Sequence, residues 1–103
     1  METKDIIAAL AALAQESRLA VFRLLVQAGP DGMAASKIAE SIAVTPSALS
    51  FHMKELFHAG LVQSRQDGRF VIYSANFGTM TDVITFLSSN CCGGRSCVPD
   101  TSC

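Results

Sequence analysis

Residues 45–62 read T-P-S-A-L-S-F-H-M-K-E-L-F-H-A-G-L-V, and each part of that string prescribes the same local structure. Thr45 suits a helix N-cap, because its hydroxyl accepts from a backbone N–H that the first turn leaves unpaired. Pro46 fits the first helical position, where a missing N–H costs nothing. Leu49, Met53 and Leu56 recur at helical spacing as one apolar stripe. Gly60 closes the helix, and Leu61-Val62 begins an extended segment. The opposite face carries Ser47, Ser50, Phe51, Lys54, Glu55 and His58, with His52 near its edge. Hydroxyls, imidazole and ammonium on one face can reach base edges and phosphates in a DNA major groove. Most capped amphipathic helices are ordinary surface helices, however, so the neighbouring segments must decide.

Upstream, Ser36 is placed to cap a short helix over residues 37–41 that buries Ile38 and Ala39, with Ile42 just after it. A turn at Ala43-Val44 leads into the Thr45 helix, so two helices follow each other in helix-turn-helix order. The turn lacks the glycine that often marks it. Downstream, residues 61–66 and 69–75 are extended candidates around Asp67-Gly68, a strong hairpin signal. Arg65 and Arg69 flank the hairpin tip. On an ordinary hairpin they are solvated; on a wing beside a helix-turn-helix they can contact phosphates or the minor groove.

The ends add helices. Residues 4–14 form an Ala/Leu/Ile helix with too little polar surface to stand alone. Ser17 is placed to cap a helix over residues 18–27 that is apolar around most of its circumference, as a central helix is. Gly29-Pro30-Asp31-Gly32 ends it. Residues 77–89 carry Met80, Val83, Ile84 and Leu87 as a stripe, with Phe86 beside it. The fold expected is mostly α with a β-hairpin: a winged helix-turn-helix with additional N- and C-terminal helices. It divides into a domain over residues 1–90 and a cysteine-rich tail over 91–103.

Composition narrows the classes. The chain has 103 residues, 50% of them hydrophobic, which suits one domain with a packed core. A domain this small leaves much surface exposed, so surplus apolar surface favours dimerisation. The formal net charge is −1, which argues against a nonspecific polyanion binder. Between residues 34 and 76 the bias is weakly basic, with Lys37, Lys54, Arg65 and Arg69 against Glu40, Glu55 and Asp67. No segment approaches the ~18–20 apolar residues needed to span a bilayer. The N-terminus has no signal-peptide pattern, so a cytoplasmic protein without a membrane partner is expected. All four cysteines fall at 91, 92, 97 and 103, where they cannot staple a core that contains no other cysteine. Such a terminal cluster points to thiolate ligands or a redox switch.

Two stretches carry a resemblance: Glu16-Ser17-Arg18-Leu19-Ala20-Val21-Phe22-Arg23-Leu24-Leu25, and Leu49-Ser50-Phe51-His52-Met53-Lys54-Glu55-Leu56 with Ala59-Gly60-Leu61-Val62. The first resembles the second-helix signature of the ArsR/SmtB family of bacterial metal-responsive repressors. The second resembles that family's recognition helix, with its Ser-x-His pair and terminal Gly-Leu. The likeness covers about residues 5–92. It implies a homodimeric, non-enzymatic transcriptional repressor on a two-fold symmetric operator, with the terminal helices forming the dimer interface. Carried over, Ser47, Ser50, His52 and Lys54 would face DNA, and Arg65 and Arg69 would serve the wing.

Family members differ in where they bind their inducer. The arsenical site best known among them uses cysteines on the third helix, and residues 36–41 contain none. The zinc-type site on the last helix needs histidines and carboxylates, and residues 77–90 offer only Asp82. What remains is Cys91-Cys92 with Cys97 across Gly93-Gly94, and Cys103 as an alternative third ligand. Some family members carry a similar Asn-Cys-Cys pair after the last helix and respond to arsenite or antimonite. Trivalent arsenic or antimony takes three thiolates in a pyramid, whereas zinc takes four ligands with its paired cysteines usually spaced apart. The rival readings are a redox-sensing repressor using the same thiols, a small thiol reductase, and a winged helix that binds protein instead of DNA. A catalytic cysteine normally sits near a base or helix N-terminus, and this tail follows a helix C-terminus.

Overall fold

Residues 1–94 are described in a computed structural model, with backbone alone at Cys92 and Gly94. The helices are α1 (Thr3–Leu13), α2 (Glu16–Ala28), α3 (Ala35–Ile42), α4 (Pro46–His58) and α5 (Phe77–Ser88). Three strands, β1 (Met33–Ala34), β2 (Val62–Asp67) and β3 (Phe70–Ala75), form an antiparallel sheet in the order β1-β3-β2. A single 3-10 turn, Cys91–Gly94, follows α5. The order is that of a winged helix-turn-helix with a helix added at each end, as expected.

One core unites these elements. Ile6 of α1, Val21 and Leu25 of α2, Ile38 of α3, Leu56 of α4 and Leu61 beside β2 are fully buried. Each buried aliphatic side chain contributes about 1.5–3 kcal/mol relative to leaving it in water. The Arg18 guanidinium closes the α1–α2 corner: its Nε donates to the Ala12 carbonyl at 2.7 Å, one of the carbonyls left unpaired at a helix C-terminus.

Several boundaries differ from the sequence reading. Helix α2 is capped by Gln15, whose side chain accepts from Arg18 N at 2.9 Å, so Ser17 lies inside the helix. The helix is also less central than its composition suggests. Val21, Phe22 and Leu25 are buried, but Leu19 is 45% exposed, because the neighbouring elements cover only one side. Helix α3 starts at Ala35 with Ala34 as N-cap and no side-chain cap bond, which removes the role given to Ser36.

Strand β1 leaves no signal in the sequence. Two residues are too few to show alternation, and the strand exists only by pairing Met33 with Tyr73 and Ala34 with Ile72. Gly32 permits that pairing: its φ is +75°, and a Cβ there would collide with the Tyr73 carbonyl oxygen. In the hairpin, Asp67 pairs with Phe70, so the two-residue loop is Gly68-Arg69, one residue later than expected. Gly68 has φ +61°, and glycine at the first central position is the mark of a type II′ hairpin turn.

The terminal helices pack on each other but leave apolar surface bare. Ile84 and Leu87 of α5 are 55% and 61% exposed, and Ile7 of α1 is 61% exposed. Among the described residues, no helix is long and apolar enough to cross a membrane.

Candidate nucleic-acid interface

Helix α4 is fixed at both ends and along one side. Thr45 Oγ1 accepts from Ala48 N at 3.1 Å, and Pro46 occupies the first turn. Leu49, Met53 and Leu56 are buried, which sets the rotation of the helix about its axis. The remaining face then points outward: Ser47, Ser50, Phe51, Lys54 and His58 are all exposed. The first turn of α4 holds no acidic residue, so no carboxylate of its own offsets the positive end of its dipole.

The α3–α4 turn works without glycine. Ala43 adopts the left-handed conformation at φ +56°, and its N–H and that of Val44 donate to Glu40 and Ala39 carbonyls at 3.3 and 3.1 Å. These bonds satisfy the end of α3 while the chain reverses. An alanine there carries about 1–2 kcal/mol of backbone strain that a glycine would not.

Of the residues expected to face DNA, Ser47, Ser50 and Lys54 share the outward face. His52 stands apart from them. It is half-buried, its ring meets Phe51 edge-on at 5.8 Å, and its Nδ1 is buried with no hydrogen-bond partner among the described residues. The wing arginines also differ. Arg65 is tied down through Nη2, which donates to the Asp31 carbonyl at 2.8 Å, bracing the wing against the α2–β1 loop. Arg69 is exposed in the turn itself. Helical and strand periodicity places the exposed set. It carries no information on a contact between residues 31 and 65, which depends on the sheet that β1 completes.

The cysteine site is described only in part. Helix α5 ends where Ser88 and Ser89 turn their hydroxyls back to the Ile84 and Phe86 carbonyls, at 2.8 and 2.9 Å. Asn90, at φ +56°, then redirects the chain into the 3-10 turn that opens with Cys91, which is exposed. Gly93 N donates to the Asn90 carbonyl at 2.9 Å, so the Cys91-Cys92 pair sits inside a closed loop of backbone. Cys97 and Cys103 lie outside the described residues. Among those described, no three His, Cys, Asp or Glu residues converge into a metal site.

Residues 13–65, just over half of the chain, match a family model described as a helix-turn-helix domain. No curated protein sequence matches the chain significantly. Solved structures do. An ArsR-like transcriptional regulator from Rhodococcus sp. RHA1 is 27% identical with a TM-score of 0.72, over 82% of this chain and 77% of that one. A possible transcriptional regulator for arsenical resistance is 27% identical with a TM-score of 0.68, over 79% and 81%. A homodimeric winged helix-turn-helix DNA-binding domain from Mycobacterium bovis, 20% identical, shares the fold with a TM-score of 0.67, over 89% and 85%. With an anchored α4, a β2–β3 wing and a family match spanning α2, α3 and α4, the chain belongs to the helix-turn-helix domain family.

Proposed function

We propose that this protein is a homodimeric transcriptional repressor of the ArsR kind, acting in the cytoplasm. The observation that carries this is the outward face of α4, where Ser47, Ser50 and Lys54 stand on a helix whose rotation is locked by three buried residues. On operator DNA these side chains and the half-buried His52 reach base edges and phosphates, while Arg69 and the remaining donors of Arg65 meet the backbone beside the wing. The apolar surface of α1 and α5 supports the second copy. Two copies about a two-fold axis would place their α4 helices in successive major grooves of a symmetric site.

The inducer in this reading is trivalent arsenic or antimony. Cys91 and Cys92 supply adjacent thiolates directly after α5, and Cys97, or Cys103 in its place, supplies a third. The donor chemistry fits: soft sulfurs, two of them adjacent at Cys91 and Cys92, suit a three-thiolate pyramid better than a zinc tetrahedron, whose paired cysteines are usually spaced apart. Tying these thiolates together constrains the segment after α5 and hence the helix that carries the bare apolar face. A change there alters the separation of the two α4 helices, and a coupling of about 1–3 kcal/mol suffices for regulation. The cysteines have no catalytic part in this scheme.

The test is a gel-shift series with reduced protein and arsenite. The parent releases its DNA and Cys91→Ser/Cys92→Ser protein holds it. Equal release by both proteins would sink the site assignment. Release by oxidant alone, with no response to arsenite, would favour the redox-sensing alternative.

A further inference from the structure

Phe51 is out of keeping with its surroundings. It sits on the outward face of α4, four residues after Ser47 and three before Lys54, so all three share that face. The buried stripe of Leu49, Met53 and Leu56 lies on the other side, and the Phe51 ring is 57% exposed. A half-buried His52 meets it edge-on at 5.8 Å with 66° between planes, which supports one flank of the ring and leaves the outward flank open. The chain thus keeps a large aromatic in water among hydroxyls and an ammonium.

One apolar feature on the floor of a DNA major groove matches such a group: the C5 methyl of thymine. Resting on the reading that α4 lies in the major groove, we propose that Phe51 is a specificity-determining residue that packs on a thymine methyl in each operator half-site. Ser50 and Lys54 beside it hydrogen-bond neighbouring edges and phosphates, while Phe51 discriminates thymine from cytosine, which offers no methyl at that position.

The experiment uses the full reduced chain and duplexes enriched from a random-sequence pool. In the enriched duplex each dT is replaced singly by dU, which deletes the methyl and keeps every base-pairing atom, and affinity is measured at fixed salt. One dT per half-site is expected to weaken binding about four-fold when replaced, and about fifteen-fold when both are, the scale of one apolar carbon leaving contact. Phe51→Ala binds dT and dU duplexes alike, and Phe51→Leu recovers part of the discrimination. Circular dichroism verifies that both variants fold; if the alanine variant does not, the leucine variant and the parent dU series decide.

A parent that tolerates dU at every position, while still selecting a sequence with salt-dependent affinity, overturns the role of Phe51 and leaves α4 as reader. An unchanged dU penalty in Phe51→Ala overturns it as well. A pool that yields no enriched sequence overturns both readings together.

Discussion

Helices α4 and α5 are built alike and used differently. They have 13 and 12 residues, and each is capped by a side-chain oxygen accepting from a backbone N–H three residues on, Thr45 from Ala48 and Asn76 from Thr79. Helix α4 buries Leu49, Met53 and Leu56, and turns hydroxyls and a lysine outward. Helix α5 buries only Val83 among its stripe and leaves Ile84 and Leu87 largely in water. The more apolar helix is therefore the less covered one. Intrachain packing accounts for the apolar stripe of α4, Leu49, Met53 and Leu56. For α5 it accounts for Phe77, Met80 and Val83, and leaves Ile84 and Leu87 as the surface that the proposed second copy would cover.

The sharpest way to break that contrast is to truncate one leucine on each helix. Leu56→Ala empties a fully enclosed position and should cost about 2–5 kcal/mol at every protein concentration in urea unfolding. Leu87→Ala should act through association, so its deficit relative to the parent should widen as protein concentration rises. A concentration-independent loss at Leu87 would mean that α5 is packed within its own chain.

The caps give a smaller effect. Thr45→Ala and Asn76→Ala should each cost about 1 kcal/mol by denaturant unfolding. Only the first lies beside the proposed DNA contacts, so it should also weaken operator binding in a titration at fixed salt. Equal effects of both on DNA affinity would erase the difference in role.

The smallest effect concerns the turn that aims α4. Ala43→Gly relieves a left-handed alanine and should raise stability by about 0.5–1 kcal/mol, part of the relief being lost to the freer unfolded chain. A destabilised Ala43→Gly protein would show that this turn is not strained.

How much of this could be read from residues alone follows the same divide. Helix α4 announced itself because cap, proline, stripe and closing glycine act within one segment. Ser47, Ser50, Phe51 and Lys54 fell on one face for the same reason. The hairpin was visible through Asp67-Gly68, although the register moved its loop to Gly68-Arg69. Strand β1 and the Arg65–Asp31 bond were hidden, because both arise between segments about thirty residues or more apart. The cap on α2 is not legible from residue type, since Ser17 is the better cap by type, yet Gln15 is the residue whose backbone is extended. The stripe on α5 was legible as apolar surface and silent on what covers it. Of the proposed inducer ligands, Cys91 and Cys92 lie in the 3-10 turn after α5, and Cys97 and Cys103 fall beyond residue 94.

The account rests on the bare face of α1 and α5 being the seat of a second copy. Sedimentation equilibrium of the reduced protein at micromolar concentration tests it directly, alongside an Ile84→Asp/Leu87→Asp variant. The account predicts twice the 10.9 kDa chain mass for the parent and the single-chain mass for the variant, with the variant's helical signal retained. A parent that sediments as a single chain, or a variant that remains a dimer, would contradict it.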